Sequence, residues 1–289
     1  MMVVFLFAKV PYGTWIICEI ESPKGYVLSE EEIAVTIGKV DEVVEIELVN
    51  YFIKGNIALT KVDEDYPDNK LSGAVFEVYS DTNGDGKLDK DDTLLGEMKE
   101  LDGGVYQMSE LRYGKYLVKE SKAPTGFVLD EDVYAVSIEE NGKTYTVENK
   151  AGVGFINAAQ KGSLKIVKTS SDGKVEDFSF RVTGVDYDKT FKTDKNGEIV
   201  IEGLRIGDYT VSEVNDKASA GYILPADKQV TVKVDATAIV QMHNEFRDTP
   251  KTGDDFNLGL WVSLAVLSVV GAGVLGFVGY KNRKKKKED

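Results

Sequence analysis

The sequence predicts an all-β chain of small sandwich domains in tandem, followed by one C-terminal transmembrane helix. Three observations lead there: phrases repeated in a fixed order, hydrophobic alternation of period two inside them, and an uncharged run of 23 residues near the end.

The repeats set the architecture. KGNIALTK (Lys54 to Lys61) returns as KGSLKIVK (Lys161 to Lys168), at an offset of 107 residues. ELRYGKYLVKES from Glu110 returns as GLRIGDYTVSEV from Gly203, with a shorter form, VPYGTWIICEI, from Val10. A third phrase follows each of these: ESPKGYVL from Glu21, KAPTGFVL from Lys122 and KASAGYIL from Lys217. Three copies result, and the first lacks the opening strand, so the chain is expected to start inside a domain. The boundaries expected are 1–53 for that C-terminal half domain, 54–160 and 161–246 for two complete domains, 247–257 for a linker, 258–280 for the membrane helix and 281–289 for a basic tail.

Within each copy the side chains alternate. Tyr116, Val118 and Glu120 share one face, with Leu117 and Lys119 on the other, as in a half-buried strand. Tyr134 to Ile138 alternates likewise, and Asn141-Gly142 before Thr144, Tyr145, Thr146 and Val147 predicts a tight hairpin. No convincing amphipathic helix interrupts the pattern, which reads as a sandwich of short strands. MMVVFLFAKV has no basic n-region and no small-residue cleavage site, so it is expected to be a strand of the first copy and not a signal peptide.

Composition narrows the function classes. With 42% hydrophobic and 29% charged residues the chain is globular, and a net charge of -14 excludes nucleic acid as a partner. Cys18 is the sole cysteine, so no intrachain disulfide forms, and small domains outside the cell would have to be stabilised some other way.

Residues Leu258 to Tyr280 carry no charge over 23 positions, enough to cross a hydrocarbon core of about 30 Å. KNRKKKKED follows, and the positive-inside bias puts it in the cytoplasm with everything before Leu258 outside. Just upstream stand Thr249, Pro250, Lys251, Thr252 and Gly253. Pentapeptide, hydrophobic span and basic tail in this order resemble the LPxTG sorting signal of Gram-positive wall proteins. The resemblance implies sortase as a partner, cleavage between Thr252 and Gly253, transfer to peptidoglycan, and membrane contact through 258–280 before sorting. Thr249 stands where that motif has leucine, which leaves the sortase class open.

Several polar residues have inward parity. Lys61 shares a face with Ile57 and Leu59, and Lys168 with Leu164 and Ile166. Glu120 and Glu213 follow Val118 and Val211, and Asn157 and Asn244 sit beside Phe155 and Met242 on the closing strands. The first copy keeps the same glutamate and asparagine, Glu19 and Asn50, without a lysine. A lysine pointed into a core is costly unless paired or neutral.

These phrases resemble SpaA-type and Cna B-type domains of bacterial adhesins and pilins, a prealbumin-like sandwich, from Val10 to the sorting signal. Many members of that family join a first-strand lysine to a last-strand asparagine or aspartate, with help from a glutamate. The resemblance implies Lys61 with Asn157 and Glu120, and Lys168 with Asn244 and Glu213. Asn149 has plausible parity too and stays open as an alternative acyl partner in the middle domain. Burial favours the neutral amine and the protonated carboxyl, which could then donate to the amide oxygen.

The middle domain also holds DTNGDGKLDKDD. Asp81, Asn83, Asp85, Asp89 and Asp92 occupy positions 1, 3, 5, 9 and 12 of a calcium loop, with the Lys87 carbonyl at 7 and Gly86 at the turn. A structural calcium ion is expected there and no other cofactor. His243 has outward parity, and no Ser-His-Asp or Cys-His set can be assembled, so turnover as an enzyme is not expected. A structural stalk ranks ahead of an adhesin with a host-surface ligand. An accessory pilin ranks below both, because EDYPDNKL from Glu64 lacks a Tyr-Pro-Lys donor.

Overall fold

The computed structural model describes residues 5–247; the sorting motif from Thr249 to Gly253, the 258–280 span and the basic tail all lie outside the described residues. All regular structure among the described residues is β, in two compact units divided between Gln160 and Lys161. No helix among them is long and apolar enough to cross a membrane.

The first unit begins with β1 (Gly13–Cys18) and β2 (Glu32–Ile37), an antiparallel pair registered from Gly13 with Ile37 to Cys18 with Glu32. Of the strand expected in the first ten residues, the described part does not form: Phe5 to Val10 pair with no strand and Phe5, Leu6 and Phe7 lie exposed. A strand needs a neighbour for its amides, and none lies beside this segment among the described residues.

The complete domain of this unit runs through β3 (Lys54–Asp63), β4 (Val75–Ser80), β5 (Thr93–Glu97), β6 (Lys99–Glu100), β7 (Val105–Arg112), β8 (Gly114–Lys122), β9 (Val133–Ile138), β10 (Thr144–Thr146) and β11 (Phe155–Asn157). One sheet has the order β5-β4-β8-β9 and the other β10-β3-β7-β6, with β11 also on β3. Ile57, Leu59, Phe76, Val78, Val118 and Phe155 fill the space between. The alternation read from the sequence thus points the odd residues of β3 inward, each aliphatic contributing about 1.5–3 kcal/mol on burial.

The Asn141-Gly142 turn is not a hairpin. β9 pairs with β8 in one sheet, whereas β10 pairs in parallel with β3 in the other, so the turn carries the chain across the sandwich. Long-range anchors decide this: Asn141 Oδ1 accepts the Lys54 amide at 3.0 Å, and the Gly142 amide donates to the Lys54 carbonyl at 2.7 Å.

The second unit repeats the plan with β12 (Lys161–Ser170), β13 (Ser179–Gly184), β14 (Tyr187–Lys192), β15 (Glu198–Arg205), β16 (Gly207–Glu213), β17 (Tyr222–Ile223), β18 (Lys228–Val232) and β19 (Thr237–Phe246). Its sheets are β15-β12-β19-β17 and β14-β13-β16-β18, around Leu164, Ile166, Phe180, Val182, Val211 and Val240. First and last strands run parallel, β12 beside β19, over eight registered pairs.

The Lys-Gly that opens each complete repeat has a steric reason. Register slips between Gly55 and Ile57 and between Gly162 and Leu164, and a Cβ at Gly162 would collide with the Lys233 carbonyl oxygen and lie 2.9 Å from that of Ala236. Gly162→Ala is therefore expected to destabilise the second unit by about 1–3 kcal/mol. A lower urea midpoint in denaturation of the purified chain checks this.

Candidate functional site

Each complete domain buries one lysine, one glutamate and one asparagine in its core. Lys61 and Glu120 are 0% exposed and Asn157 3%; Lys168 is 1%, Glu213 9% and Asn244 0% exposed. The strand ladders bring them together. Lys61 registers with Phe155 on the parallel strand, and Asn157 lies two residues further on; Lys168 registers with Met242, and Asn244 again lies two residues further. Equal parity keeps lysine and asparagine on the inner face. The glutamates come from the opposite sheet, Glu120 across from Phe76 and Glu213 across from Phe180.

In the first set the Lys61 ammonium donates to the Phe155 carbonyl at 3.1 Å and to Asn157 Oδ1. It lies 3.9 Å from Glu120 Oε1 and 5.0 Å from the centre of the Phe155 ring. Asn157 Nδ2 donates to both Glu120 oxygens, at 3.0 and 2.9 Å, and the Asp130 amide donates to Oε2 at 2.8 Å. Loss of water pushes Lys61 down to about 8 against the opposing charges of Glu120 and Asp130. Burial likewise pushes Glu120 up, although the Asp130 amide, Asn157 and Lys61 pull the other way.

The second set has the same plan with looser contacts. Lys168 donates to the Thr169 carbonyl at 2.8 Å, lies 4.0 Å from Glu213 Oε2 and sits 4.5 Å from the centre of the Phe178 ring. Asn244 Nδ2 donates to Glu213 Oε1 at 2.6 Å. Glu213 Oε2 and Asn244 Oδ1 are buried with no hydrogen-bond partner. Each such orphan costs about 1–3 kcal/mol, so this arrangement is held at a penalty. Burial drives Lys168 down and Glu213 up, as in the first set.

Two features differ from the sequence expectation. Both glutamates contact the amide nitrogen of the asparagine and not its oxygen, which suits them to protonate a departing nitrogen. Asn149 is engaged elsewhere, donating to Asp130 Oδ2 at 2.7 Å and to the Ile156 carbonyl at 2.9 Å while its Oδ1 accepts the Ile156 amide. The sequence did not point to the capping rings of Phe155 and Phe178 or to the Asp130 amide. Phe155 reads from the sequence only as an inward neighbour of Asn157, and the Asp130 amide reaches Glu120 across the loop between β8 and β9.

The acidic loop is stitched to itself. Asp81 accepts the Gly84 and Gly86 amides, Asn83 the Asp85 amide, Asp85 the Lys87 amide, and Asp92 the amides of Thr82 and Asp89. Among the described residues no three His, Cys, Asp or Glu side chains converge as a metal site. A calcium titration that raised the melting temperature would show the loop rearranging around the ion. His243 is exposed, with Thr169 Oγ1 at 2.8 Å and Glu245 at 3.2 Å.

Comparison with known proteins gives the same fold. Among solved structures the chain is similar to the Bacillus anthracis TIE protein, at 26% identity and a TM-score of 0.63, over 82% of this chain and 42% of that one. It thus spans less than half the length of that relative. GBS52, the minor pilin of Streptococcus agalactiae, matches at 18% identity and a TM-score of 0.31, over 69% of this chain and 99% of its own. Shaft pilin spaA of Lactobacillus rhamnosus GG matches at 13% and 0.30, over 68% and 99%. The search of curated proteins finds no match. The profile of the SpaA prealbumin-like fold domain matches three times, over residues 4–51, 55–151 and 162–246, and the chain belongs to that family.

Proposed function

We propose that this chain is the wall-anchored stalk of a Gram-positive surface protein, and that each complete domain braces itself with a lysine-asparagine isopeptide bond. One observation carries the brace: the same buried lysine, glutamate and asparagine occupy equivalent register positions in two domains. The neutral amine of Lys61 or Lys168 attacks Cγ of Asn157 or Asn244. The glutamate takes the amine proton and passes it to Nδ2, the Cγ–Nδ2 bond breaks, and ammonia leaves as the Nζ–Cγ amide forms. The strands hold the groups at high effective concentration. Each bond forms once, so the protein modifies itself and is not an enzyme.

Anchoring rests on the order of Thr249–Gly253, the 258–280 span and the basic tail in the sequence. Its test is fractionation of a Gram-positive host. The chain is expected in the wall fraction as one hydrolase-released band, and Thr252→Ala or deletion of sortase should move it to the membrane. A ladder of sortase-dependent polymers would favour a pilin instead, and binding of the isolated domains to a host protein would favour an adhesin.

The depressed Lys61 predicts a pH effect in a chain that cannot close the bond, such as Asn157→Ala. Unfolded lysine keeps its proton to about 10.5 and the buried amine only to about 8. Between these values the unfolded state binds more protons, so stability rises with pH across the window, and the burial penalty is complete below about 8. Melting curves from pH 7 to 10.5 check this, with the cross-linked parent expected to lack the rise.

A further inference from the structure

The last strand of the middle domain is broken where that of the second unit is whole. β19 runs from Thr237 to Phe246 and carries Asn244 within eight registered pairs to β12. In the middle domain the same part is divided between β10 (Thr144–Thr146) and β11 (Phe155–Asn157), and residues 148–154 between them lie in no strand. Asn157 is therefore carried on a strand of three residues. Its carbonyl accepts the Glu64 amide at 3.1 Å. So short a strand has few ladder bonds with which to aim a carboxamide at Lys61.

Two side chains make up the difference. Asn149 Oδ1 accepts the Ile156 amide at 2.7 Å and Asn149 Nδ2 donates to the Ile156 carbonyl at 2.9 Å, as a neighbouring strand would. Ile156 precedes Asn157, so these bonds fix the backbone that carries the acyl group. Nδ2 also donates at 2.7 Å to Asp130 Oδ2, which accepts the Tyr134 hydroxyl from β9 at 2.8 Å. The backbone amide of the same Asp130 donates to Glu120 Oε2 at 2.8 Å. One connected path thus runs from the glutamate through Asp130 and Asn149 to the residue beside Asn157. The second unit lacks its first step. The repeated phrase that ends at Leu129 ends at Leu224 there, so Pro225 stands where Asp130 does, and proline has no amide hydrogen to give. Glu213 Oε2 is accordingly buried without a hydrogen-bond partner.

We propose that Asp130 and Asn149 are positioning residues for closure of the middle domain, holding Glu120 and Asn157 in place for Lys61 where a continuous last strand is missing. Asn149 sets the backbone on which the acyl group sits. The Asp130 amide sets the carboxylate that moves the proton, and the Asp130 side chain ties the two settings together. Neither residue touches the atoms between which the bond forms, Nζ of Lys61 and Cγ of Asn157. Their effect is on aim, and a misplacement of about 1 Å between reacting groups costs on the order of 100-fold in rate. Asn149 thus serves the acyl partner without being it. The second unit holds its asparagine through the unbroken β19 and needs no such clamp. This rests on the isopeptide reading of the complete domains.

Closure is timed by synthesising the full chain in a cell-free extract, quenching samples in acid and following each bond by peptide mass. The Lys168–Asn244 bond serves as the internal clock. Asn149→Ala and Asp130→Ala should each slow the Lys61–Asn157 bond by about 10–100-fold against that clock. Tyr134→Phe keeps the ring, removes only the hydroxyl and should slow it measurably; it decides the question if an alanine variant does not fold. Trimethylamine N-oxide, which strengthens folding, should leave the lag in place, because what is lost is aim and not stability. If the variants close at the parental pace, or if the osmolyte restores that pace, the positioning proposal is overturned while the bonds stand. If the parent forms neither bond, the isopeptide reading falls and the proposal falls with it.

Discussion

Lys168→Met should lower the melting temperature of the second unit by roughly 15–30 °C. Methionine fills the space of the buried lysine without burying a charge, so the change isolates the proposed bond from the cost of an unpaired ammonium. A bond from 168 to 244 ties the first strand to the last and closes most of the domain into one loop. By analogy with a disulfide spanning a loop of that size, its loss costs about 4 kcal/mol, and a domain this small shifts by about 4–8 °C per kcal/mol. Calorimetry on the purified chain reads the effect. A shift of only a few degrees would mean that no bond existed to lose.

Glu120→Gln should block closure in the middle domain and leave its fold intact. Glutamine matches the glutamate in shape and can still accept from Asn157 or the Asp130 amide, but it cannot carry the proton from Nζ to Nδ2. General acid-base assistance of this kind contributes about 10²–10⁴-fold, so Lys61 and Asn157 should be recovered as separate residues in peptide maps of the variant. The second unit keeps its own set, Lys168, Glu213 and Asn244, and serves as the internal control. Closure at the wild-type rate in Glu120→Gln would remove the glutamate from the mechanism.

Parity alone placed Lys61, Glu120 and Asn157 in one core, and the matching set in the second unit, because a half-buried strand has a period of exactly two and the repeats fixed its phase. What parity could not supply was the partner of each strand. The parallel pairing of β3 with β11 and of β12 with β19 joins segments about a whole domain apart, and no local pattern encodes it. The same gap explains the Asn141-Gly142 turn. Its residues fit a hairpin, yet the anchors from Lys54 send the following strand to the other sheet. Repeat alignment favours Asn157, which stands four residues before Lys161 as Asn50 does before Lys54, but parity leaves Asn149 open, and only the folded chain shows Asn149 engaged with Ile156 and Asp130. The glutamate's place on the amide nitrogen depends on which way a carboxamide faces, which sequence does not specify.

Whether each complete domain closes its own bond is decided by intact mass spectrometry of the purified chain. The expected mass is two ammonia molecules below that of the sequence, with peptides joined at Lys61–Asn157 and Lys168–Asn244. A mass equal to that of the sequence, with all four residues free in the digest, would contradict it.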